Sequence, residues 1–283
     1  MGSSNLAPRD LVAVARLDWA EVRRSRWLWV ALGLYAGLAA LFVLVGLRES
    51  NVLGFTGMGR VLFSLCHALV LVLPLVALAV TGQVVSRARE DGSLELLLSH
   101  PVRRSAYLVA VTGVRYLALT VPLITLMGAL AAVGWVFMAQ PVPWGFLLRA
   151  SAVCAALLWA FTALGIATSA RVRSPARAMT YLVVFWLAGV ALLDFGLIGL
   201  MLSWRLEPRA VFLLAAANPV QAARLALLSV AEPELATLGP VGFYLSTRFG
   251  SGALLALGIA WPVAFGAIAW ASALHTLRRS DAV

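Results

Sequence analysis

Long stretches without a charged side chain most constrain how this chain can fold. Residues 61–85 contain no Asp, Glu, Lys or Arg, and other apolar stretches of membrane-spanning length are separated from them by polar segments. About 20 apolar residues suffice for a helix to cross the ~30 Å hydrocarbon core of a membrane. Since backbone polar groups must be paired inside lipid, these stretches are expected to cross as helices. With 62% hydrophobic and 12% charged residues, the composition also indicates an all-α integral membrane protein.

The apolar runs predict six transmembrane helices behind an N-terminal interfacial helix. Residues 1–26 are expected to form a tail and an amphipathic helix, whose charged side chains, including Asp18, lie mostly off its apolar face. Residues 27–283 are expected to form one six-helix domain. The predicted apolar face consists of Leu11, Val14, Ala15, Trp19 and Val22. The predicted spans are about 27–47, 61–85, 106–138, 146–170, 179–202 and 252–275.

Arginine placement predicts the orientation of these spans. All 22 basic residues are arginine, and with six spans about twice as many lie on the side of the termini as on the other side. Short loops rich in arginine stay in the cytoplasm, so both termini are expected there, in a bacterial inner membrane. The arginines flank apolar segments and form no continuous stripe, which favours contact with membrane lipid over nucleic acid.

The longest charged interruption is residues 86–107, SRAREDGSLELLLSHPVRRSAY, which lie between two membrane-length runs. Such a segment must protrude from one membrane face. Ser93 is expected to cap a short helix, and Pro101 to end it by forcing His100 out of helical geometry. An ordinary solvated loop is the alternative.

The sequence offers no pattern for chemistry of its own. A Walker-type phosphate loop needs a lysine, and the chain has none. Its three histidines and two cysteines share no ligand spacing, and Cys66 and Cys154 both lie in apolar segments. We therefore expect a non-catalytic protein without a bound cofactor, metal or disulfide.

Two charges lie well inside predicted spans, away from their ends. Asp194 is either a substrate or gating contact or a buried partner of neighbouring polar groups, because a carboxylate in hydrocarbon costs roughly 2.5–3.5 kcal/mol. Arg115 is expected to extend its side chain to the membrane interface.

Residues 203–250 form an unusually long connection before the last span. A short helix is predicted after Asn218 and Pro219. We expect amphipathic or re-entrant helices at the outer end of the bundle; the alternatives are a helix on the lipid surface or a docking site for an external protein.

Residues 90–98, EDGSLELLL, followed by Pro101, Val102 and Arg104, resemble the signature of type-2 ABC transporter permeases. Gly113 and Arg115 lie where members of that family often carry a Gly-Lys pair. The resemblance implies a six-helix permease in which a coupling helix, about 87–104, docks on a separate ATPase that holds ATP and Mg²⁺. The implied ATPase contacts are Arg87, Arg89, Glu90, Asp91, Gly92, Glu95, Leu96, Leu97 and Pro101.

Within that family, residues 54–60, 218–228 and 238–245 most resemble the branch that serves maturation of nitrous oxide reductase. That resemblance implies a homodimer with a cytoplasmic ATPase, a periplasmic β-helical protein and a copper chaperone, acting in assembly of a copper–sulfur centre. The implied contacts with the periplasmic partner are Asn218, Pro219, Arg224, Pro240 and Tyr244.

Three other functions stay open at this point. They are a generic exporter of lipid, drug or polysaccharide in the same family, a secondary transporter that uses Asp194, and a membrane anchor that transports nothing.

Overall fold

The computed structural model describes residues 8–53, 57–100, 102–138, 142–192, 217–231, 235, 242 and 247–279. Within these ranges the regular structure is helical and no strand occurs, which confirms the all-α prediction for the described part of the chain. The helices are α1 Pro8–Arg24, α2 Arg26–Leu53, α3 Gly57–Thr81, α4 Val84–Glu90, α5 Ser93–Leu98, α6 Arg104–Met138, α7 Trp144–Arg171, α8 Pro175–Trp186, α9 Pro219–Ala231 and α10 Gly250–Arg279.

Five segments of the described chain are long and apolar enough to cross a membrane: Arg26–Val45, Val61–Glu90, Arg104–Val136, Trp144–Arg171 and Gly250–Arg279. They match five of the six predicted spans. The remaining one, predicted near 179–202, begins in α8 and continues as a π-helix over Leu187–Leu192. Asp194 lies outside the described residues.

Helix α7 lies at the centre of the bundle and contacts α3, α6, α9 and α10. Its inward side chains alternate between large ones, such as Leu157 and Phe161, and small ones, such as Ala160 and Gly165. Small residues allow close approach of helix backbones, which is how helices associate where lipid removes the hydrophobic driving force. Helices α2 and α10, by contrast, leave most of their apolar side chains on the outside.

The main core joins leucines of α3 with side chains of α6, α7 and α9. Met127 is fully buried in this core, as expected for a packing methionine. Cys66 and Cys154 are buried and free. A second core holds Val14 of α1, Leu94 of α5 and Leu277 of α10. These helices therefore meet at one end of the bundle, called here the α5 end.

The predicted short helix after Asn218 is confirmed as α9, but a position on the lipid surface is wrong. Val220, Ala223 and Leu227 are buried in the main core, against α3, α7 and α10. Helix α9 thus enters the bundle rather than lying on it, in agreement with the expected re-entrant helix and not with the alternative of a lipid-surface helix.

Helix α1 packs against α6 through part of its predicted apolar face. Val14 and Val22 are buried, whereas Trp19 is exposed. Asp18, expected off the apolar face, is buried as well, 6% exposed. Because residues 14, 18 and 22 are spaced by four, they share one face of the helix.

Candidate functional site

The predicted coupling segment forms two short helices with a sharp turn between them. Helix α4 ends at Glu90, and Gly92 has a φ of 69°. Glycine adopts this left-handed conformation at little cost, whereas other residues resist it. The Ser93 side chain does not cap α5, contrary to prediction; its hydroxyl donates to Ala88 O at 3.2 Å, which ties the two helices together. Residues 84–98 are called here the α4–α5 unit.

Helix α5 attaches to the bundle through Leu94 and presents Leu96 outward. Leu94 is buried, whereas Leu96 is 69% exposed. The helix ends at Leu98, and the ring of His100 contacts Leu96 O at 3.1 Å through Nδ1. Of the predicted ATPase contacts, the exposed ones are Arg87, Glu90, Asp91, Glu95 and Leu96, while Arg89, Gly92 and Leu97 are half-buried. Pro101 lies outside the described residues.

The helical chain breaks between α3 and α4, and side chains from other helices satisfy the backbone there. Ser169 Oγ of α7 accepts hydrogen bonds from Val85 N at 2.9 Å and Ser86 N at 3.0 Å. Gln83, at the cap position itself, makes no side-chain cap. An N-cap residue usually accepts hydrogen bonds from the first N–H groups of its own helix. For α4, Ser169 of a different helix accepts them.

Arg89 holds the α4–α5 unit to α7, while its predicted contact with an ATPase is not tested by this structure. Its Nη1 donates to Ala170 O at 2.8 Å, at the C-terminal end of α7, where a helix favours positive charge. Arg89 is thus a positioning residue in this structure. Together with Ser169 it fixes the α4–α5 unit to the central helix.

We expect Ser169→Ala to lower the free energy of unfolding by about 1–3 kcal/mol, because it leaves two buried N–H groups without their acceptor. Thermal unfolding of the purified protein in detergent measures the effect. Thr168→Ala is the matched control, since the Thr168 hydroxyl bonds Leu164 O of its own helix at 3.0 Å. Equal melting temperatures for the two variants would contradict the capping role of Ser169.

The prediction that Arg115 extends its side chain to the membrane interface is wrong. Arg115 is buried, with 5% of its surface exposed. Its Nη2 donates to Asp18 Oδ1 at 2.8 Å and to Glu21 Oε1 at 3.1 Å, and its Nε donates to Asp18 Oδ1 at 3.2 Å. Its Nη1 donates to Val80 O at 3.0 Å, at the broken turn that ends α3. One guanidinium therefore joins α1, α3 and α6.

Sequence reasoning missed the part played by Asp18 and Glu21. The available signal was the spacing of Asp18 from Val14 and Val22, which places a carboxylate on the buried face. Burial raises the pKa of the Asp18 carboxyl above its ordinary value and nearby Glu21 adds to this, while the guanidinium of Arg115 acts in the opposite direction. Among the described residues, none offers a hydrogen bond to Asp18 Oδ2, although this atom is buried.

Comparison with known proteins identifies the family. A sequence model of a family described as "ABC-2 family transporter protein" matches residues 12–274. The chain belongs to the ABC-2 transporter family. Two relatives are each named "Probable ABC transporter permease protein NosY". The one from Stutzerimonas stutzeri is 27% identical over 80% of this chain and 84% of its own length. The one from Pseudomonas aeruginosa is 29% identical over 76% of this chain and 80% of its own.

The resemblance inferred from residues 90–104 is thereby confirmed at the level of the family. An ABC-2 permease is the membrane subunit of an ABC transporter, and it implies a separate ATPase subunit as partner. Among the described residues, no group of three or more His, Cys, Asp or Glu is placed to hold a metal ion.

At the opposite end of this ABC-2 permease, two predicted docking residues are inside the bundle. Asn218 is buried, with its Oδ1 accepting from Val220 N at 3.0 Å and its Nδ2 donating to Gly189 O. Pro219 is buried too. Both residues hold α9 in place, and their contact with an external protein stays a prediction. Arg224 is half-buried, while Pro240 and Tyr244 lie outside the described residues.

Proposed function

We propose that this ABC-2 permease spans the bacterial inner membrane with both termini in the cytoplasm, and that its α4–α5 unit receives the motion of a separate ATPase. The proposal rests on the exposure of Leu96. This leucine faces outward from α5, whereas Leu94 of the same helix is buried against the bundle. Glu90, Asp91 and Glu95 are exposed around it. Protein docking surfaces usually have an apolar centre and a polar rim, which is the arrangement found here.

The attachments of the unit supply a mechanism. ATP and Mg²⁺ bind to the ATPase, and its closure pushes on the α4–α5 unit. Since α3 and α6 flank the unit in the chain and Ser169 holds α4 to α7, the push is passed to these three helices, which move as rigid elements. In a homodimer of the permease, this motion changes access at the dimer interface between the two sides of the membrane.

The likeness to two NosY proteins supports a role in assembly of the copper–sulfur centre of nitrous oxide reductase. In that role the permease, which itself binds no cofactor, works with a periplasmic β-helical protein and a copper chaperone. Residues 203–250 are the proposed region of contact with the external partner. Export of lipid, drug or polysaccharide is the second candidate, favoured by the family membership alone.

A pull-down of the tagged chain from native membranes, followed by mass spectrometry, tests the proposal. We expect an ATPase with the unmodified chain, and at least roughly tenfold less of it with Leu96→Glu, because a buried leucine contributes about 1.5–3 kcal/mol. We also expect Glu90→Arg to abolish coupling of ATP hydrolysis while membrane insertion persists. Ala176→Glu is the matched control for Leu96→Glu, because it adds the same negative charge at an exposed position of α8.

The proteins recovered separate the candidates. An ATPase together with a periplasmic β-helical protein supports the maturation role, and an ATPase alone favours the exporter. Recovery of no ATPase, or normal recovery with Leu96→Glu, contradicts the proposed function.

A further inference from the structure

A cavity of about 560 Å³ lies at the α5 end, between α1, the α4–α5 unit and the start of α6. Its mouth has exposed leucines from two sides, Leu17 of α1 and Leu96 of α5. Leu94, Val111 and Asp18 also line it, and Asp18 is buried. The cavity therefore combines an apolar lining with a buried carboxylate.

The charges at the acidic side do not balance. Asp18 and Glu21 both line the cavity, and both contact the single guanidinium of Arg115. With both carboxylates ionised, the cluster carries one net negative charge; Asp18 is 6% exposed, whereas the Glu21 side chain is 69% exposed. Buried Oδ2 of Asp18 has no hydrogen-bond donor among the described residues. A buried acceptor without a donor is costly, and a donor that is positively charged would also offset the charge of Glu21.

We propose that this cavity receives a lysine or arginine side chain from the cytoplasmic ATPase. Long basic side chains lay their methylene stems along apolar surface and keep the charged head in a polar site. The leucines at the mouth fit such a stem, and Asp18 Oδ2 with Glu21 fits its head. A second positive charge makes the cluster neutral. The inference rests on the proposed function, because it names the chemistry of the partner at the same surface.

Two variants test the cavity without removing the ion pair between Asp18 and Arg115. Ala13 is an exposed residue that lines the cavity, so Ala13→Phe fills part of the space. Glu21→Gln removes the more exposed of the two negative charges. In the complex with the ATPase, we expect each variant to weaken binding at least about tenfold. Glu21→Gln should also make binding less sensitive to salt.

Ala20→Phe is the matched control, since Ala20 is an exposed alanine of α1 that does not line this cavity. Equal melting temperatures for the three variants show that the fold is intact. If the unmodified chain binds the ATPase and both Ala13→Phe and Glu21→Gln bind it equally well, the cavity proposal is overturned and the proposed function stands. If the unmodified chain binds no ATPase, both fail.

Carbodiimide cross-linking gives a second readout. The reagent joins a carboxylate to a primary amine, and this chain contains no lysine. A cross-link from Glu21 to a lysine peptide of the ATPase would identify the occupant directly. If the occupant is arginine, no such link forms, and the losses of binding in Ala13→Phe and Glu21→Gln are the expected result.

Discussion

Arg115→Leu is expected to lower the free energy of unfolding by about 3–5 kcal/mol, because removing one partner of a buried pair leaves the other charge unpaired. Asp18 would keep a buried carboxylate with neither of its guanidinium hydrogen bonds. Val80 O, at the broken turn after α3, would lose its donor too. Thermal unfolding in detergent measures the loss.

Two controls separate the buried charge from a general effect of losing an arginine. Arg16→Leu removes an exposed arginine of α1 and should change the melting temperature little. The double variant Asp18→Leu/Arg115→Leu should be more stable than Arg115→Leu alone, because no unpaired charge remains at position 18. The cluster would have no structural role if Arg115→Leu melted at the same temperature as Arg16→Leu.

Helix α1 should also become accessible in Arg115→Leu. In the native protein, α1 is held to α6 by Val14, Val22 and the ion pair. Losing the ion pair should therefore speed cleavage by trypsin at the arginines of α1. This readout distinguishes local release of α1 from unfolding of the whole bundle.

The membrane-spanning helices could be predicted because each one is encoded locally. A run such as residues 61–85 fixes a helix whatever its neighbours are, since lipid permits no other pairing of its backbone. The protruding segment was likewise predicted, from the charges of residues 86–107 between two apolar runs. Both signals lie within short stretches of sequence.

The contacts that position the α4–α5 unit could not be predicted, because they join residues far apart in the chain. Ser169 caps a helix that begins 85 residues earlier, at Val84. Asp18 and Arg115 pair across 97 residues. Each is an ordinary side chain in its own segment, and only the packing of α1, α4, α6 and α7 gives it a partner.

The sequence of α9 did not by itself decide between a position inside the bundle and one on the lipid surface, and the reason is its composition. Its sequence PVQAARLALLSVA has an apolar face of mostly small side chains, which would suit either a membrane surface or a close helix contact. The structure shows the second. Gly258 of α10 lies against Ala222 and Ala226 of α9, and Trp261 Nε1 donates to Ala217 O at 3.2 Å.

We expect Gly258→Leu to lower the free energy of unfolding by about 3 kcal/mol, at the upper end of what overpacking usually costs. Even a Cβ atom at position 258 would lie 2.7 Å from Ala222 O and closer still to the Cβ of Ala226. Helix α9 cannot retreat to make room, because its buried face is packed against α3 and α7. Thermal unfolding and the yield of protein from membranes measure the effect.

Gly252→Leu is the matched control for this contact. Gly252 lies in the same helix, but a Cβ there meets no atom within 4 Å. The leucine should therefore be accepted with little change, and its removal of a helix glycine is worth up to about 1 kcal/mol in the opposite direction. If Gly258→Leu were as stable as Gly252→Leu, α9 would have to move freely against α10. The re-entrant helix would then be a loosely attached element, instead of a fixed part of the permease core.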